Sequence, residues 1–434
     1  MIRREASQQM WLFPDHQPVA PQVDLTSTFV DNLALPIHRW FRYSAGFSAL
    51  WVRGLIEQEK ANGRCRVFDP FVGSGTVVLE GELCGVQALG LEPHPFIARV
   101  ARTKLQWRED PLTFQNYALS MLQQAKKRPG TVNGYPPLIT RCFSENVLVR
   151  LDSLRHSHLV RADGSPLSEL AWLALASILR ECSQVGTAQW QYVLPNKHKV
   201  RTVDPYAAFE TKIRLMSGDM AVRQRQTRGP IASVQQEDAR TCRTITEKWA
   251  DLVITSPPYM NNYDYADATR LEMSFFGEIK GWGDLQDTVR RYLIRSCTQH
   301  IVRFEGEARA ILEDPVLRPI ASELVDRYNQ LEQTREKHGG RKPYHTMAVS
   351  YFHDMAHVWL ALRRVATSGA LVCLVIGDSA PYGIHIPVEQ WFGKLAIAAG
   401  FKSYSFEKTR DRNVKWKNRK HRVPLCEGRL WVVG

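Results

Sequence analysis

Apolar residues run along this chain in two rhythms. Short runs at 67–68, 88–91, 251–254 (after its opening Asp251) and 370–376 are apolar without alternation, as expected of strands buried on both faces. Longer stretches with apolar residues three and four apart, at 77–83, 93–104, 167–179, 241–249, 268–276, 317–337, 349–365 and 387–399, predict helices. A further helix-like run covers 49–56, and closing strands are expected near Tyr404 and at 430–433. Strands alternating with helices predict an α/β fold with a mostly parallel sheet. Two long stretches interrupt the alternation. Residues 110–232 carry one clear apolar helix, and residues 277–346 are charged and largely helical, with a hinge at Gly339-Gly340. The predicted organisation is an arm (1–35), core segments at 36–109, 233–276 and 347–434, and insertions at 110–232 and 277–346.

Charge narrows the partners. Of 434 residues, 57 are Lys or Arg and 44 are Asp or Glu, a net +13 that favours a polyanion. No apolar run approaches the roughly 20 residues needed to span a bilayer, so nucleic acid is favoured over membrane. The start, Met1-Ile2-Arg3-Arg4-Glu5, leads into polar sequence and not into an apolar signal core. Eight cysteines without a C-x-x-C pair argue against a disulfide framework or zinc knuckle and point to a reducing cytoplasm.

Two stretches carry chemistry. Asp69-Pro70-Phe71-Val72-Gly73-Ser74-Gly75-Thr76 follows a strand, and its glycines permit a tight turn with close backbone approach. Thr76 is expected to cap the helix behind it, leaving amide groups pointing into the loop. The next strand ends in Glu92, the position from which an acid binds ribose hydroxyls in nucleotide-type folds. The loop lacks the Gly-Lys-Ser/Thr of a P-loop and the third glycine of the dinucleotide fingerprint, which leaves a nucleoside-like cofactor without pyrophosphate.

The second stretch is Thr255-Ser256-Pro257-Pro258-Tyr259, after the strand at 251–254. Paired prolines stiffen an extended turn at a strand's carboxyl end, where open α/β sheets bind ligands. A hydroxyl, free carbonyls and an aromatic plane suit a planar amine. The polar-aromatic loop 260–267 lies beside it, and the basic, aromatic patch 36–43 could contact phosphate or a stacked ring. Between the closing strands, Lys408, Arg410, Arg412, Lys415, Trp416, Lys417, Arg419 and Lys420 form the best local candidate for phosphate-backbone contact.

Two other patterns are set aside. His353 and His357 stand four apart on a helix, but Asp replaces the zincin Glu and no third ligand is evident, so no metal site is assigned. Glu145-Asn146-Val147 echoes cytosine carbon-5 methyltransferases, yet the chain has no Pro-Cys dipeptide to supply the covalent nucleophile.

With both stretches in hand, the chain resembles the DNA amino-methyltransferases, which use S-adenosylmethionine (SAM) to methylate an exocyclic base amine. The resemblance covers about half the chain and leaves out both insertions. It implies a Rossmann-like methyltransferase fold with a mostly parallel seven-stranded sheet and two largely helical insertions. By the same resemblance, Phe47, Ser48, Asp69, Phe71, Gly73, Ser74, Gly75, Thr76, Glu92, Asp238 and Thr255 would bind SAM, and Ser256, Pro257, Pro258 and Tyr259 would be catalytic. The segment 375–379 is similar to a late strand-end motif of the family. Ser before Pro-Pro-Tyr is more typical of cytosine-N4 enzymes, with adenine-N6 the alternative. An RNA or tRNA amino-methyltransferase and an inactive DNA-binding homologue remain open. Double-stranded DNA is the implied partner, alongside a cognate restriction or defence nuclease, and residues 110–232 are the first choice for target recognition.

Overall fold

The computed structural model describes residues 29–43, 46–188, 192–199, 201–226, 229–261, 263–301, 306–337, 339–340, 342–412 and 423–434. Among these described residues, nine strands form in chain order: β1 (Arg66–Asp69), β2 (Gln87–Leu91), β3 (Val185–Thr187), β4 (Val193–His198), β5 (Ser233–Gln235), β6 (Ala250–Thr255), β7 (Ala366–Gly377), β8 (Ser403–Arg412) and β9 (Leu425–Val433). Seven make one sheet in the order β5-β2-β1-β6-β7-β9-β8. Pairing from β5 through β7 is parallel, and β9 runs antiparallel to both its neighbours. This is the expected Rossmann-like, mostly parallel seven-stranded sheet.

The unalternating runs have a simple cause: both faces are covered. Val67, Leu252, Ile254, Cys373 and Val375 pack with Phe47, Trp51, Val52 and Val77 on one side. Their neighbours Phe68, Val253, Val372, Leu374 and Ile376 pack on the other with Met355, Trp359 and Leu362 of the helix Tyr344–Val365. Successive residues point to opposite faces, so every position must be apolar.

The first insertion is more ordered than its pattern suggested. Helices Pro111–Lys127, Glu145–Arg161, Pro166–Cys182 and Pro205–Gln224 pack on one another, and the hairpin β3–β4 stands apart from the main sheet. Three of these helices start alike, with a capping oxygen followed by Pro. Asp110 accepts from Thr113 N (2.7 Å), Ser165 from Ser168 N (3.3 Å) and Asp204 from Tyr206 N (3.0 Å). One carboxylate ties this insertion to the core. Asp219 accepts from Ile37 N (3.1 Å), Trp40 Nε1 (3.0 Å) and Arg39 (Nη2 at 2.5 Å), and it holds Ile37 in the left-handed region at φ 68°.

Three expectations need correction. Residues 241–249 form turns and no helix. Glu237 accepts from Thr244 N (3.1 Å), Asp238 from Arg240 N (2.9 Å), and Cys242 and Lys248 take positive φ (43° and 52°), which no helix tolerates. Thr76 does not cap the helix Thr76–Cys84. Gly75 occupies the cap at φ 95°, with no side-chain cap bond. Lys408, Arg410 and Arg412 lie within β8 itself, because the strand continues through its charged half as an exposed edge. Lys415, Trp416, Lys417, Arg419 and Lys420 lie outside the described residues. Among the described residues, no helix is long and apolar enough to cross a membrane.

Candidate active site

β1 and β6 are neighbours, and the strand order reverses between them, so their carboxyl ends open a crevice. Asp69 ends β1 and Thr255 ends β6, and they meet: Thr255 Oγ1 donates to Asp69 Oδ1 at 2.6 Å, and Phe71 N donates to the same oxygen at 3.0 Å. Burial pushes the Asp69 carboxyl up to about 7 against these two bonds. The two sequence motifs are thus bonded at their bases.

Glu92, at the end of β2, shapes the glycine loop. Its Oε2 accepts from Gly73 N (3.0 Å) and its Oε1 from His94 N (2.9 Å). Burial again dominates and raises this carboxyl to about 7. Gly73 turns at φ 52°, where a Cβ would stand 3.2 Å from Tyr43 Cε1. Gly90 admits Val72, whose Cγ2 would lie 2.7 Å from any Cβ there.

Between the motifs is a pocket with about 490 Å³ of empty space, part of it open to solvent. Of the residues singled out from sequence, Phe71, Gly73, Glu92, Ser256 and Pro258 line it. Tyr43, Pro93, His94, Tyr265, Leu293 and Ile294 complete the lining, although no role was assigned to them individually. Tyr43 and Tyr265 lie in the two aromatic stretches already noted beside the motifs; Leu293 and Ile294 carry no local signal. Burial takes His94 down to about 3, so its ring is neutral, with Nε2 2.8 Å from Thr269 Oγ1.

Other expected cofactor residues do not line this pocket. Ser48 caps the helix Ala49–Ala61, accepting from Trp51 N at 3.4 Å, and the Phe47 ring packs edge-on against Trp51. Asp238, beyond β5, is held by Arg240 at 2.5–3.0 Å. Ser74, Gly75 and Thr76 carry the loop into its helix.

The turn Ser256-Pro257-Pro258-Tyr259 is braced from β7 and from the helix behind it. Ser256 Oγ donates to Val375 O at 3.3 Å, which leaves its lone pairs to accept. Tyr351 OH donates to Pro258 O at 2.9 Å, whereas among the described residues the Pro257 carbonyl accepts nothing. The half-buried Tyr259 ring lies under the Arg412 guanidinium, 5.1 Å from its centroid, and burial raises its phenol pKa.

The opposite wall, drawn from residues 263–301, hangs on buried charge. Asp264 Oδ2 takes Arg290 (Nη2 2.6 Å, Nε 2.9 Å), and Oδ1 faces His300 Nε2 at 3.2 Å. Burial opposes ionisation, yet His300 and Arg290 hold Asp264 down to about 2. His300 Nδ1 reaches Ile294 O (2.9 Å), Leu293 N donates to Arg290 O (3.1 Å), and Tyr265, next to Asp264 in the chain, lies tilted against Tyr263 at 4.2 Å, so the cluster supports three pocket-lining residues.

The histidine pair does have a third group nearby. Asp314 Oδ2 lies 3.0 Å from His353 Nε2, and the oxygen and ring nitrogens of Asp314, His353 and His357 lie within 4.8 Å of one another. Arg295 Nη2 approaches His353 Nδ1 at 3.2 Å; a guanidinium only donates, so Nε2 carries the proton toward Asp314. That arrangement is a hydrogen-bond chain.

Comparison with known proteins extends the resemblance across most of the chain. The sequence is 24% identical over 412 residues to the Type II methyltransferase M.AvaI of Nostoc sp., covering 86% of this chain and 81% of that one. It is 25% identical over 418 residues to the Type II methyltransferase M.BsoBI of Geobacillus stearothermophilus, covering 84% and 79%. No family model matches the chain, and no solved structure matches it.

Proposed function

We propose, for a chain that is a relative of the Type II methyltransferases along most of its length, that it is a site-specific, SAM-dependent DNA methyltransferase acting on the exocyclic amine of a flipped base, cytosine N4 by preference. The observation that carries this reading is the junction of the two motifs: one pocket is lined by both Glu92 and Ser256, and Thr255 is bonded to Asp69 beside it.

The residues present fit the cofactor. Glu92 faces the pocket with lone pairs left over from its two backbone bonds and would take ribose hydroxyls, while Gly73 lets the backbone approach closely. Phe47, Ser48, Asp69, Phe71, Ser74, Gly75, Thr76 and Thr255 would support that loop, and Asp238 would meet the adenine ring once Arg240 yields. When bound, SAM supplies a sulfonium methyl group.

The chain's own part is to present the amine. Tyr259 stacks on the base after it leaves the duplex, where the amine is otherwise paired. Ser256 Oγ and the unused Pro257 carbonyl accept the two amine hydrogens, aiming the nitrogen lone pair at the pocket and stabilising the charge that develops on it. Pro258, pinned by Tyr351, fixes the turn. Lys408 and Arg410 would follow the phosphate backbone with Lys415, Trp416, Lys417, Arg419 and Lys420, and residues 110–232 would read the target sequence. A cytoplasmic setting and a cognate nuclease complete the proposal.

The test is mass spectrometry of nucleosides from the DNA of an expressing host. Accumulated 4-methylcytosine is the expected result; 6-methyladenine would reverse the base preference, and labelled methyl groups entering tRNA but not duplex DNA would overturn the reading.

A further inference from the structure

Arg412 differs from Lys408 and Arg410, the other described cations of its basic run. On β8, exposed Lys408 pairs with exposed Asp411 at 2.8 Å, and exposed Arg410 pairs with buried Glu427 at 2.7 Å. The β8–β9 register slips between Lys408 and Arg410, so Thr409 is an extra residue, a bulge of the kind that re-aims side chains beside active sites. Beyond it, Arg412 turns inward. Its Nη1 donates to Asp378 O at 2.5 Å, and its guanidinium lies over Tyr259. Gly377 makes room: a Cβ there would stand 2.8 Å from Arg412 Nη1. Ser256 is bonded to Val375, two residues earlier on the same strand, so the end of β7 holds both the serine and the arginine. The bulge, Gly377 and the Asp378 carbonyl all serve one inward-facing cation, and the late segment 375–379 thereby gains a task.

We propose that Arg412 reads the pairing edge of the flipped base, donating two parallel N–H groups to N3 and O2 of cytosine. This rests on the function proposed above. Cytosine's pairing edge is an amine followed by two acceptors. With the amine on Ser256 and Pro257, the remaining two acceptors match the planar fork of a guanidinium. Adenine offers beside its amine one acceptor and a carbon-bound hydrogen, which leaves one N–H of the fork unpaired. Without DNA, the guanidinium rests on the Tyr259 face where the base stacks. Base–aromatic stacking is at least as strong as such a cation–π contact, so the base displaces it sideways while the Asp378 carbonyl keeps it within reach.

The experiment uses the full-length protein and a synthetic duplex carrying the sequence found methylated in the expressing host. The target is cytosine or 2-thiocytosine, whose sulfur is a poor acceptor at the position of O2. We expect the thio substitution to slow single-turnover methyl transfer by wild type about tenfold or more, as for loss of a charged hydrogen bond. Arg412→Met should slow transfer to the ordinary duplex by a similar factor and show less than about a twofold further thio effect. Arg412→Lys, which keeps the cation but not the fork, should melt like wild type, bind SAM like wild type by calorimetry and still lose the rate. A wild-type rate in either variant, or a thio effect that persists in Arg412→Met, overturns the role. Were 4-methylcytosine made by an active Arg412→Met, this inference alone would fall; a host DNA with no methylated base would remove the parent reading as well.

Discussion

The two walls of the pocket are built by opposite means. The glycine-loop wall is backbone: Gly73 and Gly75 supply the turn, Gly90 admits Val72, and the carboxyls of Asp69 and Glu92 accept from main-chain amides. The facing wall is side chain. Asp264, Arg290 and His300 are buried together and hold up Tyr265, Leu293 and Ile294. Their electrostatics diverge accordingly. Burial with few counter-charges raises Asp69 and Glu92 to about 7, whereas a guanidinium and an imidazole hold Asp264 at about 2. A wall made of backbone can present a ligand with amides at little charge cost. A wall made of buried ions is fixed only while every member is present.

The comparison is best broken at Asp264. Asp264→Ala strands Arg290 and His300 without their anion and should destabilise the protein by about 3–5 kcal/mol, the usual cost of orphaning a buried charge. Calorimetric melting measures it, and an unchanged melting temperature would mean that this wall stands by packing alone. Between the walls, Ser256→Ala removes one preplaced acceptor and should slow methyl transfer about 10²–10³-fold while SAM affinity holds. A proportional loss of SAM binding would move Ser256 from the amine to the cofactor.

On the backbone wall, Gly90→Ala forces Val72 aside and should cost about 1–3 kcal/mol, with SAM affinity weakened because Val72 carries the loop. Denaturant titration and calorimetry together read both effects. The smallest effect comes from pH. Glu92 is raised from its ordinary 4.5 to about 7, so its contribution to stability is full below 4.5 and is lost as pH rises through 7. If Glu92 takes the SAM ribose as proposed, binding needs the ionised acceptor, so affinity should move the other way, weakening by up to about tenfold per unit as pH falls below 7. Glu92→Gln should flatten that dependence. Asp264, lowered from 3.8 to about 2, holds its contribution above 3.8 and loses it only as pH falls toward 2, so it is silent between 6 and 8.

This difference also governs what the sequence reveals. Glycines, a strand-end acid and paired prolines are local signals, because the backbone constraint they answer lies within a few residues. Strand positions 67–68, 88–91, 251–254 and 370–376 were legible for the same reason, as continuous apolar runs between covered faces. Asp264, Arg290 and His300 are drawn together across 36 residues by tertiary packing and leave no pattern to read. The helices of the first insertion were partly readable: Asp110-Pro111, Ser165-Pro166 and Asp204-Pro205 are start signals that outweigh the weak apolar periodicity between them. The expected helix at 241–249 fell to the opposite effect, since Glu237 and Asp238 offer the backbone carboxylate partners that a helix cannot match.

The bonds converging on Asp219 have a thermodynamic meaning. They bind the segment from Ile37 to Trp40, three residues before the pocket-lining Tyr43, to a helix of the first insertion. Whatever draws that helix to a new position must either break those bonds or carry the segment with it, and Tyr43 braces Gly73. If the insertion meets DNA and the pocket holds the cofactor, as proposed, their occupancies are linked quantities. A duplex that strengthens cofactor binding by some factor must itself be bound more tightly, by the same factor, once the cofactor is in place.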